Sequence, residues 1–264
     1  MMKPLSNLSK KVTAVASLMS ITSLLAAPLG SYALAAGAHT ASITPKTSPF
    51  CTNLSSEAGT ITAKLGDLSG KVSAAWSQQD QKQTTQWQQV DKKVTADRQQ
   101  ADTKRKSNLT TLTTKATTDS QKQAIQTYET AVQNAVSVRR GAYDTARQTF
   151  RSSVQAAISG RRATVTIQLS TLQASVNAAI STAQASCASD PNGGPTIRAA
   201  LQTSLKSARE TFRSDRKADE MVGTQVKQLA AKRDASFKAT DQVFQTSLST
   251  ARQALKQAFG KSSL

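Results

Sequence analysis

Residues 54–75 read LSSEAGTITAKLGDLSGKVSAA, and their apolar side chains recur with a helical period. Steps of four and three residues alternate along Leu54, Ala58, Ile61, Leu65, Leu68, Val72 and Ala75. This spacing places one apolar stripe along an α-helix and is the heptad pattern of helices that pack side by side. The stretch therefore predicts an all-α chain.

The helical pattern continues through most of the chain and is divided by two breaks. Asp119 or Ser120 is suited to cap a new helix, and the segment SDPNGGP at residues 189–195 stops one. Each predicted helix is about 100 Å long at 1.5 Å per residue. Three equal helices joined by tight turns indicate an up-down-up, coiled-coil-like bundle built on a long antiparallel hairpin. The predicted helices span about residues 52–117, 119–187 and 196–259.

One weak place lies inside the second predicted helix. Gly160 disfavours a helix, and the β-branched residues 163–169 alternate in a way that also suits a strand. No other segment offers a convincing partner strand. We therefore expect a helix with a kink or a weak turn at this point.

Two cysteines give independent support for the hairpin. Cys51 lies next to the start of the first predicted helix, and Cys187 lies at the end of the second. The midpoint of the two positions is residue 119, where the turn is predicted. Two cysteines in an exported chain typically form a disulfide, so we predict a Cys51–Cys187 bridge.

The N-terminus has the features of a secretory signal peptide over residues 1–35. Three lysines precede an uncharged, mostly apolar stretch at residues 12–36, which ends in small residues suited to cleavage. The alternative is an uncleaved membrane anchor, because the stretch is long enough to span a bilayer. Residues 36–50 show no helical period and predict a disordered leader before an elongated helical domain at 51–264. The predicted location is extracytoplasmic: secreted, periplasmic or on the cell surface.

Composition argues against catalysis. His39 is the only histidine, and one histidine with two distant cysteines does not provide an ordinary zinc site. The chain shows no glycine-rich phosphate loop and no nucleophile motif. We therefore expect no catalytic residues, no metal and no cofactor.

Positive charge is the main functional signal. The 264 residues include 34 Lys+Arg and 16 Asp+Glu, a formal net charge of +18. Distributed positive charge attracts polyanions such as wall polymers, lipid headgroups or extracellular DNA. The alternative is a solvated basic surface that only keeps the protein soluble. The candidate polyanion contacts are Lys104, Arg105, Lys106, Arg139, Arg140, Arg161, Arg162, Arg213, Arg216 and Lys217.

Two tryptophans flank a polar stretch of the first helix, residues 77–86, that has no apolar side chain. The hairpin register places Trp76 opposite Arg162 and Trp87 opposite Arg151. Stacking of a guanidinium group on each indole ring is the structural interpretation. The alternative is a partner-binding patch formed by Trp76 and Trp87.

These features predict a secreted or envelope-associated, non-catalytic structural or interaction protein that presents a long basic surface. One alternative is a protein that binds polyanions or anionic membranes. Another is a chaperone resembling the periplasmic holdases with helical arms. The partner is unknown from the sequence: an envelope component, a protein bound along the helices and a second copy of the chain all remain open.

Overall fold

A computed structural model describes residues 47–218 and 222–260. Within them 95% of the residues lie in helices and none lies in a strand. The prediction of an all-α protein is therefore confirmed. The four helices are α1 (Pro49–Thr114), α2 (Asp119–Ser189), α3 (Gly194–Ala218) and α4 (Val222–Phe259).

The first helix begins earlier than predicted. Residues 36–50 were expected to be a disordered leader, but Pro49 and Phe50 belong to the first turn of α1. Proline is favoured at the first helical position, and the hydroxyl of Ser48 accepts a hydrogen bond from the Phe50 N–H at 3.3 Å. The leader up to residue 46 and the predicted signal peptide over residues 1–35 lie outside the described residues.

The other predicted helices also differ in detail. α2 is helical throughout, so residues 163–169 form no strand, and a Cβ added at Gly160 would contact nothing within 4 Å. The predicted third helix is described as α3 and α4. Residues 219–221, which separate α3 from α4 in sequence, lie outside the described part of the chain.

The cap of α2 is formed by a threonine that the sequence analysis overlooked. The hydroxyl of Thr118 accepts a hydrogen bond from the Gln121 N–H, at 3.2 Å. In return, Oε1 of Gln121 accepts from the N–H groups of Thr117 and Thr118. This reciprocal arrangement is a capping box, and it replaces the predicted cap at Asp119 or Ser120.

The turn between α2 and α3 contains Gly193 and Gly194, each of which lies too close to a neighbouring side chain to carry a Cβ. Oδ1 of Asp190 accepts hydrogen bonds from the backbone N–H groups of Asn192 and Gly193. A Cβ on Gly194 would overlap the side chain of Ser48, whose N–H donates to the Pro191 carbonyl at 2.8 Å. Glycine is therefore required where the chain entering α1 crosses the turn.

The described residues belong to two compact units. The first unit contains residues 47–79, 158–218 and 222–223, and the second contains residues 80–157 and 224–260. In the first unit, α1, α2 and α3 share one apolar core. Its buried members are Leu54, Ala58, Leu172, Val176, Ile180, Ala183, Ile197, Leu201, Leu205 and Phe212.

The second unit has its own packing between α1, α2 and α4. Ile125 of α2 packs with Leu255 and Phe259 of α4, next to Leu112 of α1. Further along, the ring of Tyr143 stacks on that of Phe237 with centroids 4.1 Å apart. The third predicted helical segment therefore contributes to the core of each unit, through α3 in the first and α4 in the second.

Contacts between α1 and α2 run in antiparallel order within each unit. In the first unit a disulfide joins Cys51 to Cys187, and Arg162 contacts Trp76. In the second unit Arg151 contacts Trp87. The residue numbers of all three pairs add up to 238. The disulfide prediction and the predicted α1–α2 register are thus confirmed.

The core-facing positions of α1 repeat every 11 residues after the first few turns. Steps of three, four and four residues connect side chains that are all buried or half-buried. The polar stretch 77–86 obeys this spacing, because Gln83 is only 4% exposed and occupies a core position. An 11-residue repeat corresponds to about 3.67 residues per turn. The positions are Leu65, Leu68, Val72, Trp76, Gln79, Gln83, Trp87, Val90, Val94, Arg98, Ala101, Arg105, Leu109 and Leu112.

Candidate functional site

Three predicted polyanion contacts lie in ion pairs of the second unit. Arg105 and Arg140 both pair with Asp102, the latter at 2.7 Å. Arg139 pairs with Asp241 at 2.7 Å. All three arginines are half-buried, so their charges are directed mainly toward carboxylates of the same chain.

Arg139 lies in the most elaborate of these contacts. Its guanidinium group stands 5.1 Å from the ring centre of Tyr143 and 4.8 Å from that of Phe244. The hydroxyl of Tyr143 donates to the second oxygen of Asp241 at 2.7 Å. Burial opposes the charge of Arg139, but the hydrogen bond and the negative charge of Asp241 raise its pKa overall.

Five further predicted contacts, residues 161, 162, 213, 216 and 217, belong to the first unit. Arg161 and Arg162 are half-buried, and Arg162 donates to the Trp76 carbonyl at 3.3 Å. Arg213 is exposed and Arg216 is half-buried, and both interact with other groups of the chain. The side chain of Lys217 lies outside the described residues.

Both tryptophans receive the arginine that the register predicts. The guanidinium groups of Arg162 and Arg151 lie 5.5 and 5.3 Å from the ring centres of Trp76 and Trp87. Each also donates to the backbone carbonyl of its tryptophan, at 3.3 and 3.4 Å. The predicted stacking is confirmed. Each half-buried ring therefore has an arginine beside it. The alternative of a partner-binding patch stays a prediction.

An aspartate that the sequence analysis overlooked completes one of these contacts. Both oxygens of Asp91 accept hydrogen bonds from Arg151, at 2.7 and 2.9 Å. The hydrogen bond from Arg151 lowers the pKa of Asp91. The signal was present in the sequence: Asp80, Asp91 and Asp102 are 11 residues apart, as are Arg140, Arg151 and Arg162.

Lysines of the second unit have the opposite environment. All 11 are exposed, and only Lys93 and Lys122 form ion pairs among the described residues of this unit. By contrast, seven of its eight arginines are half-buried and ion-paired. Within the described part of this unit, the cations without an ion pair are Lys82, Lys92, Lys104, Lys106, Lys115, Lys227, Lys232, Lys238, Arg252 and Lys256.

Sequence reasoning identified two of these ten cations, Lys104 and Lys106. Most of its candidates adjoin other basic residues in sequence, whereas five of the ten cations are lysines with no basic neighbour: Lys82, Lys115, Lys227, Lys238 and Lys256. The signal that distinguishes the two classes is residue type, because an arginine fork suits carboxylates and rings while a lysine ammonium group is more strongly hydrated.

Side chains that could bind a metal ion do not cluster among the described residues. These residues contain no group of three or more His, Cys, Asp or Glu side chains that could hold a metal ion. A groove of about 750 Å³ between α2 and α3 in the first unit is lined mainly by Ala, Ser and Thr, with Asp215 as its one acidic residue. The only histidine, His39, lies outside the described part of the chain.

Comparisons with known proteins give no family for this chain. No protein-family model, no curated protein and no solved structure matches it. None of the four described helices is long and apolar enough to cross a membrane.

Proposed function

We propose that this is a non-catalytic helical interaction protein that acts outside the cytoplasm through a basic surface. One observation carries the proposal: in the second unit, arginines neutralise the aspartates while lysines remain exposed and largely without ion pairs. The arginines stabilise the fold. The lysines provide the charge that a partner encounters.

The charge balance supports an anionic partner. Residues 80–157 and 224–260 contain 19 Lys+Arg and 9 Asp+Glu, which leaves a net charge of +10. At least seven of the nine acidic residues are already in ion pairs, so little negative charge remains near the exposed lysines. Such a surface attracts polyanions and steers their approach. We therefore favour binding of anionic polymers or anionic membranes over a role in solubility alone.

The extracytoplasmic location is part of the proposal. A disulfide such as Cys51–Cys187 is stable in oxidising compartments, and residues 1–35 have the pattern of a cleaved export signal. Removal of residues 1–35 takes away three lysines and no acidic residue, which leaves a net charge of +15. We propose that the mature protein, residues 36–264, is the binding form.

An up-down-up bundle is the architecture that we propose for the mature domain. The antiparallel order of the α1–α2 contacts within each unit supports it, as does the contribution of α3 and α4 to the two cores. Such an arrangement would hold the basic residues on rigid helices. Rigid placement lets a partner bind without first ordering the lysine-bearing backbone.

The chaperone alternative has weaker support than the charge-based one. A holdase needs accessible apolar surface, and among the described residues the exposed large apolar side chains are Val138, Ile167 and Val243.

The test is binding of residues 36–264 to duplex DNA, to anionic vesicles and to neutral vesicles over a salt series. We expect binding to at least one anionic probe at physiological salt, with log affinity falling linearly with log salt. Neutral vesicles should not bind. Failure to bind either anionic probe at physiological salt would reject the charge-based function and leave the lysines as a solubility feature.

A further inference from the structure

Lys82, Lys93, Lys104 and Lys115 follow one another at intervals of 11 residues in the second unit. We infer that these four residues, the lysine column, form the contact line for a linear phosphodiester polymer. The inference rests on the proposed function and narrows it to one surface and one ligand chemistry.

Helix geometry places Lys82, Lys93 and Lys104 on one side of α1. Eleven residues make three turns of an α-helix with a remainder of about 20°, so successive members lie nearly in line. Neighbouring members are about 16 Å apart, and the whole column extends over about 50 Å. Lys115 immediately follows the end of α1 at Thr114.

The lysine column is accessible along its length. All four side chains are exposed, and Lys82, Lys104 and Lys115 form no ion pair among the described residues. Lys93 pairs with Asp97 at 3.3 Å, with side chains 56% and 43% exposed. An exposed i,i+4 pair of this kind is weak, so it does not prevent Lys93 from contacting a phosphate.

The spacing selects a polymer over a small anion. Ammonium groups about 16 Å apart do not converge on a single phosphate or carboxylate. A long polymer that contacts several of them gains affinity by multivalency, whereas a short fragment reaches only one. Lysine binds phosphate oxygens as a point charge, which suits a chain of regularly spaced phosphates.

The surroundings indicate recognition by charge alone. Every aromatic side chain among the described residues is buried or half-buried, so exposed rings for stacking nucleic-acid bases are absent from this part of the protein. Arginine is the side chain that most often contacts base edges, but arginines of this unit are largely in ion pairs with aspartates of the same chain. The ligand is therefore defined by its phosphodiester backbone, whether it belongs to a nucleic acid or to an envelope polymer.

The experiment compares two charge-matched variants of residues 36–264. The column variant replaces Lys82, Lys93, Lys104 and Lys115 with Gln. The control variant replaces four other exposed lysines of the second unit, which lie on α4 and form no ion pair there. These are Lys227, Lys232, Lys238 and Lys256.

The first probe is a 24-base-pair DNA duplex, which is longer than the column at 3.4 Å per base pair. Loss of four phosphate contacts lowers the slope of log affinity against log salt by about 3.6. Between 50 and 200 mM salt, the factor by which affinity falls should therefore be about 100 times smaller for the column variant than for the wild type. The affinity of the column variant at low salt should be correspondingly weaker. The control variant should retain most of the wild-type slope. Thermal unfolding of both variants checks that they remain folded.

The second probe is a nucleobase-free polyphosphodiester, poly(glycerol phosphate), of similar contour length. Equal losses for the two probes in the column variant assign the site to the phosphate backbone. A loss limited to DNA would overturn the backbone-only recognition. Equal losses in the column and control variants would overturn the lysine column while leaving the proposed function intact. Absence of wild-type binding to these probes and to anionic vesicles would instead reject the proposed function itself.

Discussion

The guanidinium group of Arg151 lies 5.3 Å from the ring centre of Trp87 and donates a hydrogen bond to the Trp87 backbone carbonyl. In the first unit, Arg162 makes the same pair of contacts with Trp76. Arg140, which precedes Arg151 by 11 residues on α2, donates a hydrogen bond to the backbone carbonyl of Arg98. One 11-residue spacing thus sets equivalent contacts between α1 and α2 in both units.

The Trp87–Arg151 contact predicts a stability effect. Trp87→Ala removes a half-buried ring together with its cation–π contact, so it should lower the free energy of unfolding by about 2 kcal/mol. Denaturant unfolding monitored by circular dichroism measures the change. The control is Gln88→Ala, at an exposed neighbouring position on the same helix. An unchanged unfolding midpoint for Trp87→Ala would show that the contact is not stabilising.

Removal of the Cys51–Cys187 disulfide should have a larger effect. The bridge spans 136 residues, and the loop-entropy model assigns a stabilisation of about 5 kcal/mol to a loop of this length. The double variant C51S/C187S should therefore unfold at a lower temperature than the oxidised wild type. Peptide mapping without reduction should recover residues 51 and 187 in one cross-linked species. Finding both thiols free would remove the covalent support for the α1–α2 register.

Two glycine substitutions should act in opposite directions. Gly160→Ala should stabilise α2 by about 1 kcal/mol, because alanine favours the helix and its Cβ meets open space. Gly194→Ala should destabilise the protein, because the added Cβ would overlap the side chain of Ser48. Unfolding midpoints of the two variants provide the comparison. A stabilising Gly194→Ala would mean that the turn does not hold the chain entering α1 as described.

Asp91 predicts how stability depends on acid. Its hydrogen bond from Arg151 lowers its pKa from the ordinary value of 3.8 in the folded protein. The carboxylate therefore contributes stability above about pH 4, and this contribution is lost as the pH falls through the folded pKa. Melting temperatures between pH 7 and pH 2 should fall less steeply for Asp91→Asn than for the wild type.

The matched control for that series is Asp67→Asn. Asp67 is exposed and forms no ion pair among the described residues. Its variant should follow the wild-type acid profile. If the Asp91 and Asp67 variants have the same profile, the Arg151–Asp91 pair does not contribute to the pH dependence.

Much of the fold could be predicted because the decisive signals are local or pairwise. Periodic apolar residues indicate helices, and the breaks near residues 119 and 189–195 separate them. The two cysteine positions then fix the hairpin register, which in turn predicts the Trp76–Arg162 contact. The heptad positions predicted over residues 54–75 are all buried or half-buried, but a search for apolar side chains overlooks the inward-facing Gln83, Arg98 and Arg105 farther along α1.

The candidate site was harder to predict, since a basic residue can face either solvent or an acidic residue on another helix. Arg139 and Arg140 are adjacent in sequence, and by charge alone both are candidate polyanion contacts. In the structure Arg139 pairs with Asp241 on α4, whereas Arg140 pairs with Asp102 on α1. Only the arrangement of three helices reveals these partners. The isolated lysines attract less attention in a sequence, although they are the more accessible cations.

The most direct test of the separation between structural arginines and binding lysines is one affinity measurement on two charge-matched variants. R140Q/R151Q and K82Q/K104Q each remove two positive charges, and both should be compared with wild type on the same DNA duplex at a temperature where all three are folded. We predict that the lysine variant binds the duplex more weakly than wild type and that the arginine variant binds it nearly as well as wild type. The opposite result, weaker binding by the arginine variant and wild-type binding by the lysine variant, would show that the separation of roles is wrong.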